Sequence, residues 1–198
     1  MIKPHVQRNI WLLWLLIVPF GLWLIYRFYP PLETVVGIDL LGFLVLTGFV
    51  ASTPMIINNI PIFYIQWVSL AVFLTFGILI EVIFMQIAVL ALLIRIRVPK
   101  EQHYRFPLNF LMFFIVSVVS GLVYYGLGGT HGIDIISSPK NLLLALMYAL
   151  VAFLLNHFLL SFIGYMLHKR KSDWLDQDFI WEAGTTILTL PIGLVLYI

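Results

Sequence analysis

Six polar residues stand inside long apolar runs of this 198-residue chain: Glu81, Gln86, Asn109, Asn156, His157 and Glu182. An ionisable group at membrane depth costs several kcal/mol unless it is paired or hydrated, so such residues must face protein or water. Gathered together they would line a polar cavity that binds a small ligand or relays protons. Taken singly they could instead serve as interhelical hydrogen bonds, with Asn156 joining helices, His157 bonded to a backbone carbonyl, and Glu182 and Asp39 reaching toward water. Other chemistry finds little support. The histidines at 5, 103, 131, 157 and 168 form no pair at helical ligand spacing, so no metal site is implied. The chain has no cysteine, which excludes disulfides, thiolate metal sites and a cysteine nucleophile. No serine has a base and an orienting acid close by in the sequence. The cluster from Gly126 to Gly129 lacks the preceding strand and the spacing of a phosphate loop and reads as a turn. No cofactor is implied.

The elements that must position these residues are membrane helices. Hydrophobic residues make up 62% of the chain and charged residues 10%, far from the composition of a soluble domain. Apolar segments run from Asn9 to Tyr29, about Val35 to Ala51, Ile60 to Ile94, Phe106 to Leu127, Lys140 to Leu167 and Phe179 to Ile198. They predict an all-α, polytopic transmembrane bundle of about six to seven helices in one domain, 1–198. The segment from Ile60 to Ile94 holds 35 residues, about 50 Å as one helix against a core of about 30 Å. Two shorter pieces, broken between Gly77 and Glu81, fit better, and the later piece, Val82 to Ile96, is short enough to be tilted or re-entrant. The turn signals at Pro54 and from Asn58 to Pro61 close the second segment, and the glycines of 126–132 supply a flexible connection.

Basic residues set an expected orientation. The amino-terminal end, the 95–105 connection and the 168–178 connection carry nine of the 11 Lys and Arg, leaving Arg27 and Lys140 for the other side. The positive-inside rule places the three rich regions in the cytoplasm, with a cytoplasmic amino terminus. The run Lys169 to Lys171 is a stop-transfer anchor, with anionic lipid as a secondary partner. Trp11, Tyr104, Trp174, Trp181 and Tyr197 read as interfacial belts. A basic balance confined to short connections speaks for topology and against nucleic acid. Seven segments starting inside would leave Ile198 outside with no flanking anchor, which suggests the front part of a longer protein.

Several short motifs point to a family. Phe106-Pro-Leu-Asn109, Ser120-Gly-Leu-Val-Tyr-Tyr-Gly-Leu-Gly-Gly129, Leu154-Leu-Asn-His157, Phe179-Ile-Trp-Glu182 and Leu190-Pro-Ile-Gly-Leu-Val-Leu-Tyr197 together resemble the multispan amino-terminal region of bacterial cyclic-di-GMP signalling proteins. In that family the region precedes a cytoplasmic GGDEF diguanylate cyclase or an HD-GYP phosphodiesterase. The resemblance covers residues 60–198, and no GGDEF or HD-GYP motif stands within the chain. It implies a sensory module in the bacterial cytoplasmic membrane, surrounded by lipid, open to an unknown small-molecule ligand and homodimeric through its output domain. Asn109, Asn156, His157 and Glu182 are the polar residues borne by those motifs, with Glu81 and Gln86 as further cavity candidates. Any catalysis would belong to the parent protein's output domain. A second expectation, from a different class, is a small-solute-binding membrane subunit of a transporter, similar to the substrate-specific components of energy-coupling factor importers. A third, an intramembrane or lipid-modifying enzyme, requires the polar residues to converge on water.

Overall fold

A computed structural model describes residues 2–30, 37–57, 60–62, 65–132, 138–168 and 177–197. The described residues form seven helices, α1 Pro4–Phe28, α2 Ile38–Ser52, α3 Gln66–Phe76, α4 Ile78–Arg95, α5 Arg105–Gly126, α6 Pro139–His168 and α7 Gln177–Tyr197. Five of them, α1, α4, α5, α6 and α7, are long and apolar enough to cross a bilayer. The protein is thus a multi-pass helical bundle, as its composition requires.

The boundaries follow local chemistry. Pro4 opens α1 at the position where a missing N–H costs nothing. One addition to the expected all-helical pattern lies between α2 and α3, where β1 Met55–Ile57 and β2 Ile60–Ile62 pair antiparallel, Met55 opposite Ile62 and Ile57 opposite Ile60. The turn expected at Asn58 and Asn59 lies outside the described residues.

The break at Gly77 is where the length argument places it. Its φ of 85° with ψ of 178° belongs to a region open essentially to glycine alone. The short piece, however, is the opposite one from that expected. Helix α3 has 11 residues, a rise of about 16 Å, while α4 has 18, about 27 Å, enough for a full crossing. Residues 60–62 form a strand, which removes them from the helical run and shortens its first half.

The bundle is built around α3. Its Val68, Leu70, Ala71, Val72, Phe73, Leu74 and Phe76 are all buried, so the helix is apolar and enclosed on every side. Phe73 stacks on the Tyr148 ring of α6 with centroids 4.2 Å apart, and meets the edge of Tyr124 of α5 at 5.0 Å. Helix α7 covers α3 from outside through Leu190, Leu194 and Tyr197. Between them Gly193 brings the backbones together, since a Cβ there would fall 2.5 Å from the Trp67 carbonyl oxygen. Small residues permit this close approach, which substitutes for the missing hydrophobic drive between helices in lipid. Helix α1 docks on α5 in the same manner, with Gly21 receiving the Phe114 ring. The outward faces of α1 and α7 expose Leu15, Leu16, Phe20, Trp23, Ile187, Leu188 and Val195, side chains suited to contact with acyl chains.

Candidate functional site: a buried carboxyl between four helices

Glu81 lies one turn into α4 and is wholly buried. Because the chain reverses at Gly77, α3 lies back against α4 and sets Ser69 across from it. The Ser69 hydroxyl donates to Glu81 Oε1 at 2.6 Å. From α5 the Ser117 hydroxyl donates to the same oxygen at 2.8 Å. Tyr148 of α6 completes the group, its hydroxyl 3.4 Å from Ser69 Oγ and also acting on the carboxyl. Four helices thus converge on one acidic side chain. Ser117 stands mid-helix, 12 residues after Arg105 and 9 before Gly126, or about 18 and about 14 Å of helix rise.

A cavity of about 30 Å³ begins at these hydroxyls, room for about two water molecules. Its walls are Gln66 and Ser69 of α3, Met85 of α4, Phe113, Val116 and Ser117 of α5, and Tyr148, Ala149, Ala152 and Asn156 of α6. Met85 is one turn beyond Glu81 toward Arg95, Phe113 one turn before Ser117 toward Arg105, and Asn156 two turns beyond Tyr148 toward His168. The space therefore extends from the hydroxyls around the carboxyl toward the arginine-bearing end of the bundle.

Of the six residues singled out in the sequence, this geometry brings two together. Glu81 anchors the cluster, and Asn156, 6% exposed, lines the far end of the cavity. His157 is equally buried but turns to α7, its ring edge-on to Phe179 at 4.7 Å. Gln86 is half-buried and donates from Nε2 to the Phe110 carbonyl at 3.3 Å, joining α4 to α5 away from the cavity. Asn109 donates to the Arg105 carbonyl of its own helix at 2.7 Å. The side chain of Glu182 lies outside the described residues. Asp39 is exposed in the first turn of α2, where an acidic group suits the helix dipole. Sequence reasoning missed Ser69, Ser117, Tyr148 and Gln66. The signal for the two serines is weak: a hydroxyl in an otherwise apolar helix. Among the described residues no group of three or more His, Asp or Glu is placed to hold a metal ion.

Above the cluster, the connection after α5 closes over the break. The Gly132 amide donates to the Leu74 carbonyl at 2.8 Å, satisfying a carbonyl left open at the end of α3. The His131 ring lies against Gly77, 3.2 Å from where a Cβ would stand, and its Nδ1 is 3.1 Å from the Tyr125 hydroxyl. Burial holds the imidazole below its ordinary pKa, so the packed ring is neutral. The unfolded or detached ring then binds protons more readily than the docked one, and stability rises with pH across that window. Acidification below about 6.5 should therefore loosen this connection. The check is the protection of the Gly132 amide against hydrogen exchange, its rate corrected for the intrinsic pH dependence of amide exchange: lower protection at low pH in the native protein, and protection independent of pH in His131→Phe. A flat profile in the native protein would remove His131 from this role.

Comparison of the chain with family models, with curated proteins and with solved structures gives no match.

Proposed function

We propose that this chain is a membrane-embedded sensory or regulatory module that controls a downstream cyclic-di-GMP enzyme, a diguanylate cyclase first and an HD-GYP phosphodiesterase second. In this reading it sits in a bacterial cytoplasmic membrane with its amino terminus inside, and output domains pair as a homodimer. The observation that carries it is the placement of Ser69. The helix that donates to the buried Glu81 carboxyl on one side seats α7 on the other through Trp67 and Gly193. A change in the occupancy of the polar cluster would favour one α3 packing over another, and α7 would follow. The motif resemblance supplies the output, and the cluster supplies an input.

The competing classes fit the site less well. A cavity of about 30 Å³ is an order of magnitude below the ~300 Å³ or more that a vitamin-sized solute needs. The same size argues against an enclosed catalytic site for a lipid or peptide substrate, and the serines here bond a carboxyl directly, without an intervening histidine.

The decisive experiment is the intact mass of the native protein from its source membrane, together with the coding region past Ile198. A further span followed by a GGDEF or HD-GYP domain supports the module. A native product of 22.8 kDa that co-purifies with an ATPase would favour the transporter subunit. Within the module reading, replacing Asn156 and His157 together by leucine is expected to shift the regulated cyclic-di-GMP level while membrane insertion persists. Asn156→Leu closes the far end of the cavity, and His157→Leu alters the seat of Phe179. Regulated output identical to the native protein would remove the cavity from the mechanism.

A further inference from the structure

Glu81 is a carboxyl with no counter-charge among the described residues. It is 0% exposed, and the side chains acting on it are the hydroxyls of Ser69, Ser117 and Tyr148, with no cationic group among them. Tyr125 is the other titratable group whose charge couples to it. Both short hydrogen bonds fall on Oε1, while Oε2 is buried without a hydrogen-bond partner among the described residues. An isolated anion in such surroundings is far too costly to persist, so something must neutralise it. Among the described residues no arginine, lysine or histidine does so. A group from solution can.

We propose that the Glu81 cluster is a binding site for one small monovalent cation, a proton or a sodium ion, which reaches the carboxyl through the adjoining cavity. Size selects the ligand class: about 30 Å³ admits an ion with a water or two and excludes organic molecules. Chemistry selects its charge and hardness, because one carboxylate flanked by three hydroxyl oxygens is an all-oxygen set carrying a single negative charge, suited to a hard monovalent cation. Geometry supplies the route, since the cavity leads from the hydroxyls past Ala152 to Gln66 and Asn156, whose amides can replace part of an ion's hydration. Both sources share one chemistry, neutralisation of a buried carboxylate. The inference deepens the sensory reading by naming its ligand, and it stands or falls on this chain alone.

The test uses the full chain in lipid nanodiscs, native and Glu81→Gln, with two readouts. The first is equilibrium binding of radioactive sodium, with choline as the inert control. The second is the infrared carbonyl band of a protonated carboxyl across a pH series. Sodium binding at one ion per chain, lost in Glu81→Gln, identifies the ion as sodium. A carboxylic-acid band at neutral pH, insensitive to sodium and lost in Glu81→Gln, identifies it as a proton. An ionised carboxylate at Glu81 with no bound sodium overturns the proposal. Should Glu81→Gln fail to insert, Ser69→Ala with Ser117→Ala keeps the carboxyl and removes its two close donors. That variant should move the acid band to higher frequency, or weaken sodium binding by at least about tenfold, and an unchanged band with unchanged sodium binding would overturn the site. Neither readout depends on an output domain. Loss of binding thus counts against the ion site, whereas intact binding with unregulated output counts against the sensory module.

Discussion

Replacing Gly77 by alanine is expected to destabilise the bundle by about 1–3 kcal/mol from backbone strain alone. The φ of 85° and ψ of 178° at this residue are closed to side-chain-bearing residues. A second cost comes from packing, because the new Cβ would meet the His131 ring at 3.2–3.3 Å. The two terms separate in a double-mutant cycle. In a His131→Ala background the packing term disappears and the backbone term stays. Thermal or denaturant unfolding in detergent reads the sum, and exchange at the Gly132 amide reads the local release. A Gly77→Ala protein as stable as the native one would mean that the chain can turn between α3 and α4 in another way. The placement of Ser69 opposite Glu81 would then owe nothing to glycine.

The second large effect is expected from removing both serine hydroxyls. Ser69→Ala and Ser117→Ala together leave Glu81 Oε1 buried without either of its close donors, and a buried polar group so deprived costs about 1–3 kcal/mol. The single substitutions should cost less than half the double, because the remaining hydroxyl still satisfies the oxygen. The control is Glu81→Leu, in which the serines have no carboxyl to serve and their loss should be neutral or stabilising. Equal costs in the two backgrounds would show that the serines act through packing or their own helices and that the cluster is not an energetic unit.

These two sites also mark how far the sequence could be read. The break at Gly77 is legible because a 35-residue apolar run cannot be one helix in a bilayer. Which half is short is not legible. Ile60, Pro61 and Ile62 are as apolar as the helix that follows, and hydropathy alone does not separate a strand from a helix. Glu81 and Asn156 stand out because a carboxyl and an amide are conspicuous in apolar surroundings. Gln86 and Asn109 are as conspicuous, yet each is occupied by a backbone carbonyl. The serines divide the same way. Ser120 donates to the Val116 carbonyl of its own helix, as Thr47 does to Phe43, whereas Ser117 turns to Glu81. One turn of helix separates these outcomes, and the choice depends on what the neighbouring helix presents. That is a tertiary fact, which spacing along one chain does not encode.

The enclosure of α3 bears on how the protein is made. At 11 residues it is too short to enter a bilayer as an independent span, and its burial depends on elements synthesised after it. Helices α4, α5 and α6 emerge later, and α7, which covers Trp67 and the outer side of α3, is the last of the described helices to leave the ribosome. Until then the β1–β2 pair and α3 have no finished surroundings. Assembly of this bundle therefore ends, rather than begins, at its centre, and a nascent chain arrested before α7 should expose α3 to proteases that the complete protein resists.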